Sequence, residues 1–469
     1  MPGRDKKVRG GKMIPLSIEE IAKITGGRLV FDATDEVITS VTTDSRKVEK
    51  GSLFIALVGE NTDGHNYIGK AFEQGAACVI CERELEEKFS KPVIEVEKSI
   101  KAMGKIACEV LKRLSVPTVA ITGSVGKTTT RDMTHAVLSK KFNTLKNQNN
   151  FNNEIGVPLT IFNADESTQA AVIEMGMDNF GEIDRLSKIA VPDVAIITNI
   201  GMSHIERLGS QENIYKAKSE IFENLNKDGV AILNGDDDIL MDHKEEILQK
   251  VITVGVKNKN ADVVATNIIS GEKGVSFDIT GLGYNMKVEL PVPGEHNVLN
   301  ALLSCAAGIY YKVSEKEIED ALHSFTLTGM RMDIFEAGNI TIINDCYNAA
   351  PDSVRAALSV LSKRNGRKVA ILGDIAALGE YSYNAHRELG TDVVKNGIDL
   401  LVTIGENARL IAESAFENGM DSTNIISEDN IENIYSHLSQ NIKENDVVLV
   451  KASRVMGLER VTEFLKNNF

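Results

Sequence analysis

A short apolar run, Val119 to Thr122, leads into Gly123, Ser124, Val125, Gly126, Lys127, Thr128 and Thr129. Glycines between a strand and a helix let backbone N–H groups close around a phosphate, and the helix start adds roughly half a positive charge. Lys127 is placed to counter the outer phosphates of a nucleotide, and Thr128 offers a hydroxyl of the kind that holds Mg2+. The common phosphate loop, G-x-x-x-x-G-K-[ST], is longer than this one. Here only Ser124 and Val125 separate Gly123 from Gly126. The loop is therefore of a shorter kind.

A second residue draws notice. The segment SQENIYKAKSEIFENL, residues 210–225, reads as a helix with Ile214, Ile221, Phe222 and Leu225 as its apolar stripe. Lys218 stands at helical spacing from all four, so it falls on the buried stripe, whereas Lys216 faces elsewhere. A lysine there either snorkels, its stem packed and its ammonium in water, or makes use of burial, because desolvation lowers the pKa of an amine.

These residues need elements to hold them. VPTVAIT, AAVIEM, VAIITNI, GVAILN and VITVG are short apolar runs, and helical patterns lie among them. Such runs predict a buried parallel sheet. KVAILG, LLVTIG and VVLVKA restart the rhythm later, with helices such as ARLIAESAFENG between them. In open α/β sheets, ligands bind beyond the carboxyl ends of the strands. Polar residues at those ends are few: Gly123–Thr130, Glu174, His204, Asp345, Asp374 and Lys451–Arg454.

The chain has 469 residues, which predicts about three domains. The texture places an α/β N-terminal domain over 13–98, a central domain over 99–326 and a C-terminal domain over 327–469. The first twelve residues, MPGRDKKVRGGK, are basic and Gly-rich and read as a disordered extension without the apolar core of a signal peptide. No apolar run is long enough to span a membrane. A net charge of −15 argues against a broad nucleic-acid surface, though a local anion site remains open to backbone N–H groups and a few cations. Five cysteines and no secretory signal point to reduced thiols in a cytoplasm. Cys78 and Cys81 form a C-x-x-C inside an apolar run, which reads as buried structural thiols rather than a metal or redox site.

The short loop, T-G-x-x-G-K-T-T, resembles that of the Mur ligase family. The resemblance continues through NQNNFNNEIGVP (148–158), EMGM (174–177), TNIGMSHIERLGS (198–210), AKSEIF (217–222), GEHNVLNAL (294–302), GMRMD (329–333) and YNAAPDS (347–353), in the family's order. It runs from about residue 16 to the end and is strongest to the MurF type. It implies a three-domain architecture: a UDP-substrate domain, a central ATPase-like parallel sheet and a Rossmann-like C-terminal domain. It also implies a two-step reaction, in which ATP phosphorylates a carboxylate and an amine displaces phosphate from the acyl phosphate. The implied substrates are UDP-N-acetylmuramoyl-tripeptide and D-alanyl-D-alanine, and the product is a peptidoglycan precursor.

The family roles carry over residue by residue. Lys127, Glu174, His204 and Lys218 match the catalytic set. Gly123 to Thr129 match the ATP loop, with Asn297, Asn300, Arg331 and Asp345 around the rest of the nucleotide. Asp44, Ser45 and Arg46 match contacts to the uridine diphosphate, Asn150 and Asn153 lie where the muramoyl part is met, and Tyr347 and Asn348 belong to the substrate side. Two Mg2+ ions are implied, with Thr128, Glu174, His204 and a CO2-derived carbamate on Lys218 as ligands. The expected state is a cytoplasmic monomer without nucleic-acid partners.

Some positions depart from the pattern. Ala350 stands where Y-N-A-N-P has Asn, Ala377 where G-D-M-x-E-L-G has Glu, and Asn344 where Asp is common. They leave the ATP and metal positions intact and fall in segments matched to the dipeptide, as do Lys451, Ser453 and Arg454. The rival within the family is the MurE type, which adds one amino acid to the dipeptide stage. Its D-N-P-R element is absent and Y-N-A-A-P-D-S favours the MurF type. Folylpolyglutamate synthetases share the later domains but lack this first one. A nucleotide sensor that had lost chemistry would lack Lys127, Glu174, His204 or Lys218, and all four are present.

Overall fold

The computed structural model describes residues 13–30, 35–85, 89–327 and 329–469. The basic extension read in the first twelve residues lies outside the described residues.

The first unit carries a five-stranded sheet in the order Arg28–Leu29, Val93–Glu95, Cys78–Cys81, Leu53–Ile55, Val41–Thr42. All neighbours are parallel except the first pair. Cys78 and Cys81 are buried free thiols on its Cys78–Cys81 strand, and burial pushes both pKa values up. The helix Ser99–Leu114 follows and packs on Ile18–Thr25 as well as on the central helices Gly156–Ile161 and Glu182–Ala190, so it joins first and second units.

The second unit is built on β1 (Thr118–Thr122), which feeds the loop and then α1 (Lys127–Leu138). β2 (Ala170–Glu174) and β3 (Val194–Ile197) flank β1 as parallel neighbours. These strands are buried throughout, which is why they read as continuous apolar runs. After β3 come the single-turn α2 (Ile205–Leu208) and α3 (Gln211–Glu223). The sheet continues in parallel through Val230–Asn234, Lys250–Gly255 and Val263–Ser270. Val275–Gly281 and Tyr284–Leu290 then add an antiparallel extension, and with Thr144–Lys146 parallel to β2 at the other edge the sheet has nine strands. The expectation of a parallel sheet is thus extended by strands with one buried and one open face. α4 (His296–Tyr310) packs along α1. Thr134 donates to Ser304 Oγ at 3.1 Å, and Ser304 donates to Thr130 O at 3.2 Å, so small polar residues let the two helices approach closely.

The third unit is a six-stranded sheet in the order Asp333–Ala337, Ile340–Asn344, Asp446–Lys451, Arg367–Gly373, Leu400–Ile404, Ile425–Glu428. Only the first pair is antiparallel. Its loops dock on the second unit. Glu206 N donates to Ala377 O at 3.3 Å, and Tyr381 Oη donates to Gly209 O at 3.1 Å.

Candidate active site

A cavity of about 510 Å3 opens where the loop after β1 faces the third unit. Its size suits a nucleotide-class ligand, since small-molecule sites commonly run from about 300 to 1,000 Å3.

The loop is held from behind. Gly123 and Gly126 have φ of +146° and +88°. A Cβ at Gly123 would lie 1.9 Å from Thr198 Oγ1, and one at Gly126 would lie 2.5 Å from Asn300 Oδ1. Both positions therefore require glycine on dihedral and steric grounds. Asn199 O accepts from Ser124 N at 3.0 Å, and Asn199 Oδ1 accepts from Val125 N at 2.9 Å. Thr198 Oγ1 donates to Val125 O at 2.6 Å. Lys127 Nζ folds over the loop and donates to Gly123 O at 2.7 Å and Ser124 O at 3.2 Å. Thr128 and Thr129 follow on α1, whose first-turn N–H groups have no partners within the helix and favour an anion.

Glu174 ends β2 and is 2% exposed. Asn152 Nδ2 donates to its Oε1 at 2.8 Å, and Arg131 Nη1 donates to its Oε2 at 3.1 Å. Asn147 fixes its backbone, accepting from Glu174 N at 2.6 Å and donating to Glu174 O at 3.2 Å. His204 caps α2 with φ of +66°. Burial, then Lys127 and Lys218, lower its pKa to about 4, against the pull of Asp178. Burial therefore favours the neutral ring. Its Nδ1 lies 2.9 Å from Asp178 Oδ1, so that edge of the ring is occupied and Nε2 is the nitrogen left for a metal.

Lys218 is 1% exposed, on the buried face of α3 beside Ile214, Ile221 and Phe222. Burial, then Lys127, push its pKa well below the usual ammonium value. Burial is also the main cause that lowers Lys127, with Arg331 adding and Glu174 opposing. Among the described residues Lys218 Nζ has no hydrogen bond or ion pair.

Asn297 and Asn300 line the cavity from α4. Asn297 Nδ2 donates to Pro293 O at 2.8 Å, Asn300 Nδ2 donates to Asn297 Oδ1 at 3.0 Å, and Thr130 Oγ1 donates to Asn300 Oδ1 at 3.2 Å. The third unit supplies Arg331, whose guanidinium stacks on Tyr347 at 4.2 Å, and Asp345, paired with buried Lys451 at 2.6 Å. Asn348 lines the same wall, and its carbonyl accepts from Lys451 at 3.0 Å. Asn150 and Asn153 line the opposite side, where Asn153 Oδ1 accepts from Gly156 N at 2.8 Å.

The structure therefore gathers Ser124 to Thr129, Glu174, His204 and the Asn and third-unit residues around one space. Gly123 and Lys218 stand behind its lining. Asp44, Ser45 and Arg46 are not part of it. They form a separate turn in the first unit, where Asp44 accepts from Arg46 Nη2 at 2.8 Å and is held at a pKa of about 2 by that bond. Sequence reasoning missed Asn152, Asp178, Asn199 and His296, which lie in the lining, and Arg131, which bonds Glu174 from outside it. Arg131 follows Lys127 by four residues on α1, a spacing that puts both on one face.

Family models match three stretches: Mur ligase family, catalytic domain, over residues 37–111, Mur ligase middle domain over 121–308, and Mur ligase, glutamate ligase domain, over 330–454. The chain belongs to the Mur ligase family. It is 37% identical to UDP-N-acetylmuramoyl-tripeptide–D-alanyl-D-alanine ligase of Bacillus subtilis, over 97% of this chain and 99% of that one. Crystal structure I of MurF from Acinetobacter baumannii superposes with a TM-score of 0.89 at 30% identity, covering 97% of this chain and 100% of that one. The MurF ligase of Thermotoga maritima in complex with ADP gives a TM-score of 0.82 at 29% identity, over 92% and 97% of the two chains. The three-domain α/β architecture expected from the motifs is the one observed. Among the described residues no helix is long and apolar enough to cross a membrane.

Proposed function

We propose that the chain uses ATP to join D-alanyl-D-alanine to the tripeptide carboxylate of UDP-N-acetylmuramoyl-tripeptide, with the cavity between second and third units as the reaction site. The near full-length likeness to ligases of that name supports the reaction. The single observation that supports the site is the convergence of the short phosphate loop, Glu174, His204 and the Arg331–Asp345 wall on one cavity.

The chemistry sets the roles. A carboxylate must reach the γ-phosphate, and each pair of unit charges about 4 Å apart repels by about 4 kcal/mol at an effective dielectric of 20. Lys127 and the start of α1 offset that repulsion along the phosphates. Attack of the carboxylate oxygen on the γ-phosphorus releases ADP and gives an acyl phosphate. The amine of D-alanyl-D-alanine then attacks the acyl carbon, loses a proton and expels phosphate. Closure of the third unit brings Arg331 and Asp345 over the loop and shields the acyl phosphate from water.

Thr128, Glu174 and His204 would hold Mg2+. They fit a hard ion that keeps substrate oxygens as ligands: one fixed carboxylate, one neutral imidazole and one hydroxyl lie beside the loop. When bound, Mg2+ neutralises charge on the phosphates. Lys218 would join as a carbamate. Its depressed pKa raises the share of neutral amine, which adds to CO2 and releases one proton to give an anion with two oxygens. Asp44, Ser45 and Arg46 would meet the uridine diphosphate. The N-terminal, central and C-terminal divisions at 13–98, 99–326 and 327–469 are the units in which these roles fall.

Phosphate release from ATP in a substrate-omission series tests the reading. Release is expected only with tripeptide nucleotide and D-alanyl-D-alanine together. Release with the dipeptide nucleotide and one amino acid would assign the MurE type instead, and nucleotide binding without release from any pair would indicate a sensor.

A further inference from the structure

Arg131 has no part in the roles above, yet it is 3% exposed and sits directly behind the cavity. It extends from α1 four residues after Lys127, so the loop lysine and this guanidinium share one helix face. Each of its three nitrogens has a partner. Nε donates to Asp132 Oδ1 at 2.9 Å, and Nη2 lies 2.8 Å from the same oxygen. Nη1 donates to Glu174 Oε2 at 3.1 Å and to Asn149 O at 2.8 Å. Asp132 also takes Lys146 at 2.9 Å. One side chain thus ties α1, the end of β2 and the Asn-rich 147–153 segment together.

Glu174 is gripped on both oxygens, by Arg131 on Oε2 and by Asn152 on Oε1. Each carboxylate oxygen has two lone pairs, so each keeps one free. A planar fork anchored at Asp132 fixes the carboxylate plane in a way that a single ammonium cannot.

We propose that Arg131 is a positioning residue that locks the Glu174 carboxylate to the phosphate-loop helix and so presets its free lone pairs toward the bound nucleotide. The inference rests on the metal role given to Glu174 above. It goes beyond that role because it assigns the preset to a residue on a different element. The loop and its carboxylate move as one body, and the geometry at the phosphates survives when the third unit opens.

The test is Mn2+ binding to the full chain with ADP, read by electron paramagnetic resonance, which needs no turnover. Arg131→Met is expected to weaken Mn2+ about tenfold or more, the usual cost of losing a partner behind a metal ligand. Arg131→Lys, which keeps charge but loses the fork, is expected to fall between that variant and the parent. Melting without metal or nucleotide shows which variants fold, and if Arg131→Met does not, Arg131→Lys decides. Parent-like binding in every folded Arg131 variant overturns the inference. Tighter binding in Arg131→Met overturns it too, because the guanidinium would then only compete with the ion. Glu174→Gln separates this from failure of the underlying reading: parent-like Mn2+ binding there removes the metal role itself, whereas weak binding there with parent-like Arg131 variants removes only the positioning claim.

Discussion

The two walls of the cavity are built differently. On the second-unit wall, side chains fix side chains: Arg131 and Asn152 hold Glu174, Asp178 faces His204, and Asn199 holds the loop backbone. The third-unit wall pairs Asp345 with Lys451 and Asp352 with Arg355 and stacks Arg331 on Tyr347, but at Ala350 and Ala377 it relies on backbone. Ala377 meets α2 through its carbonyl, and at the helix start Ala350 N donates to Ser353 Oγ while Ser353 Oγ donates to Ala350 O. Charge placement at a phosphate depends on particular side chains, whereas a docking contact made by the main chain tolerates a change of residue. Neither contact uses the side chain of Ala350 or Ala377.

Four substitutions probe that contrast, in falling order of effect. Lys127→Ala should cut phosphate transfer about a thousandfold while binding of the UDP substrate, measured by calorimetry, persists. Loss of that binding would show that the two substrate sites are not separate. Lys218→Ala should cut turnover about a hundredfold, with partial recovery in added formate or acetate, because a small anion can replace part of a carbamate. Full activity in that variant would remove the carbamate from the account.

His296→Gln addresses pH. His296 is half-buried in the cavity lining and its pKa is lowered from 6.5 to about 4, chiefly by desolvation. Between those values the unfolded chain takes up a proton that the native state refuses. Stability is therefore present above about pH 6.5 and falls as pH drops toward 4, by about 1.4 kcal/mol per pH unit for each such group. Denaturant melts at pH 4.5, 5.5 and 6.5 should show a slope smaller by about one proton in the variant. An unchanged slope would mean that His296 is protonated in the native state. The smallest effect is expected from Ala350→Asn. A side-chain cap on the Pro351–Ser362 helix should add about 1 kcal/mol of stability with kcat unchanged. A large change in kcat would show that this part of the third wall acts through its side chains after all.

Much of this was legible in the sequence. Continuous apolar runs announced β1, β2 and β3, and the stripe around Lys218 predicted its burial from spacing alone. Val275–Gly281 and Tyr284–Leu290 escaped a search for apolar runs because they alternate, with one face buried and the other open. The alternation itself, V-S-F-D-I-T-G and Y-N-M-K-V-E-L, was the available signal. Arg131 was hidden for another reason. A basic residue on a helix is usually solvated, and only the register between α1 and the end of β2 turns this one inward. Partners separated by 43 positions, like Arg131 and Glu174, are set by sheet order rather than by local pattern.

The most direct test of the account follows oxygen. The tripeptide nucleotide is prepared with 18O in both oxygens of its reacting carboxylate and turned over with ATP and D-alanyl-D-alanine. If the carboxylate is phosphorylated in the cavity before the amine attacks, each released phosphate carries one 18O and the new amide keeps the other. Phosphate released without 18O would contradict an acyl-phosphate step and with it the role given to the phosphate-loop wall.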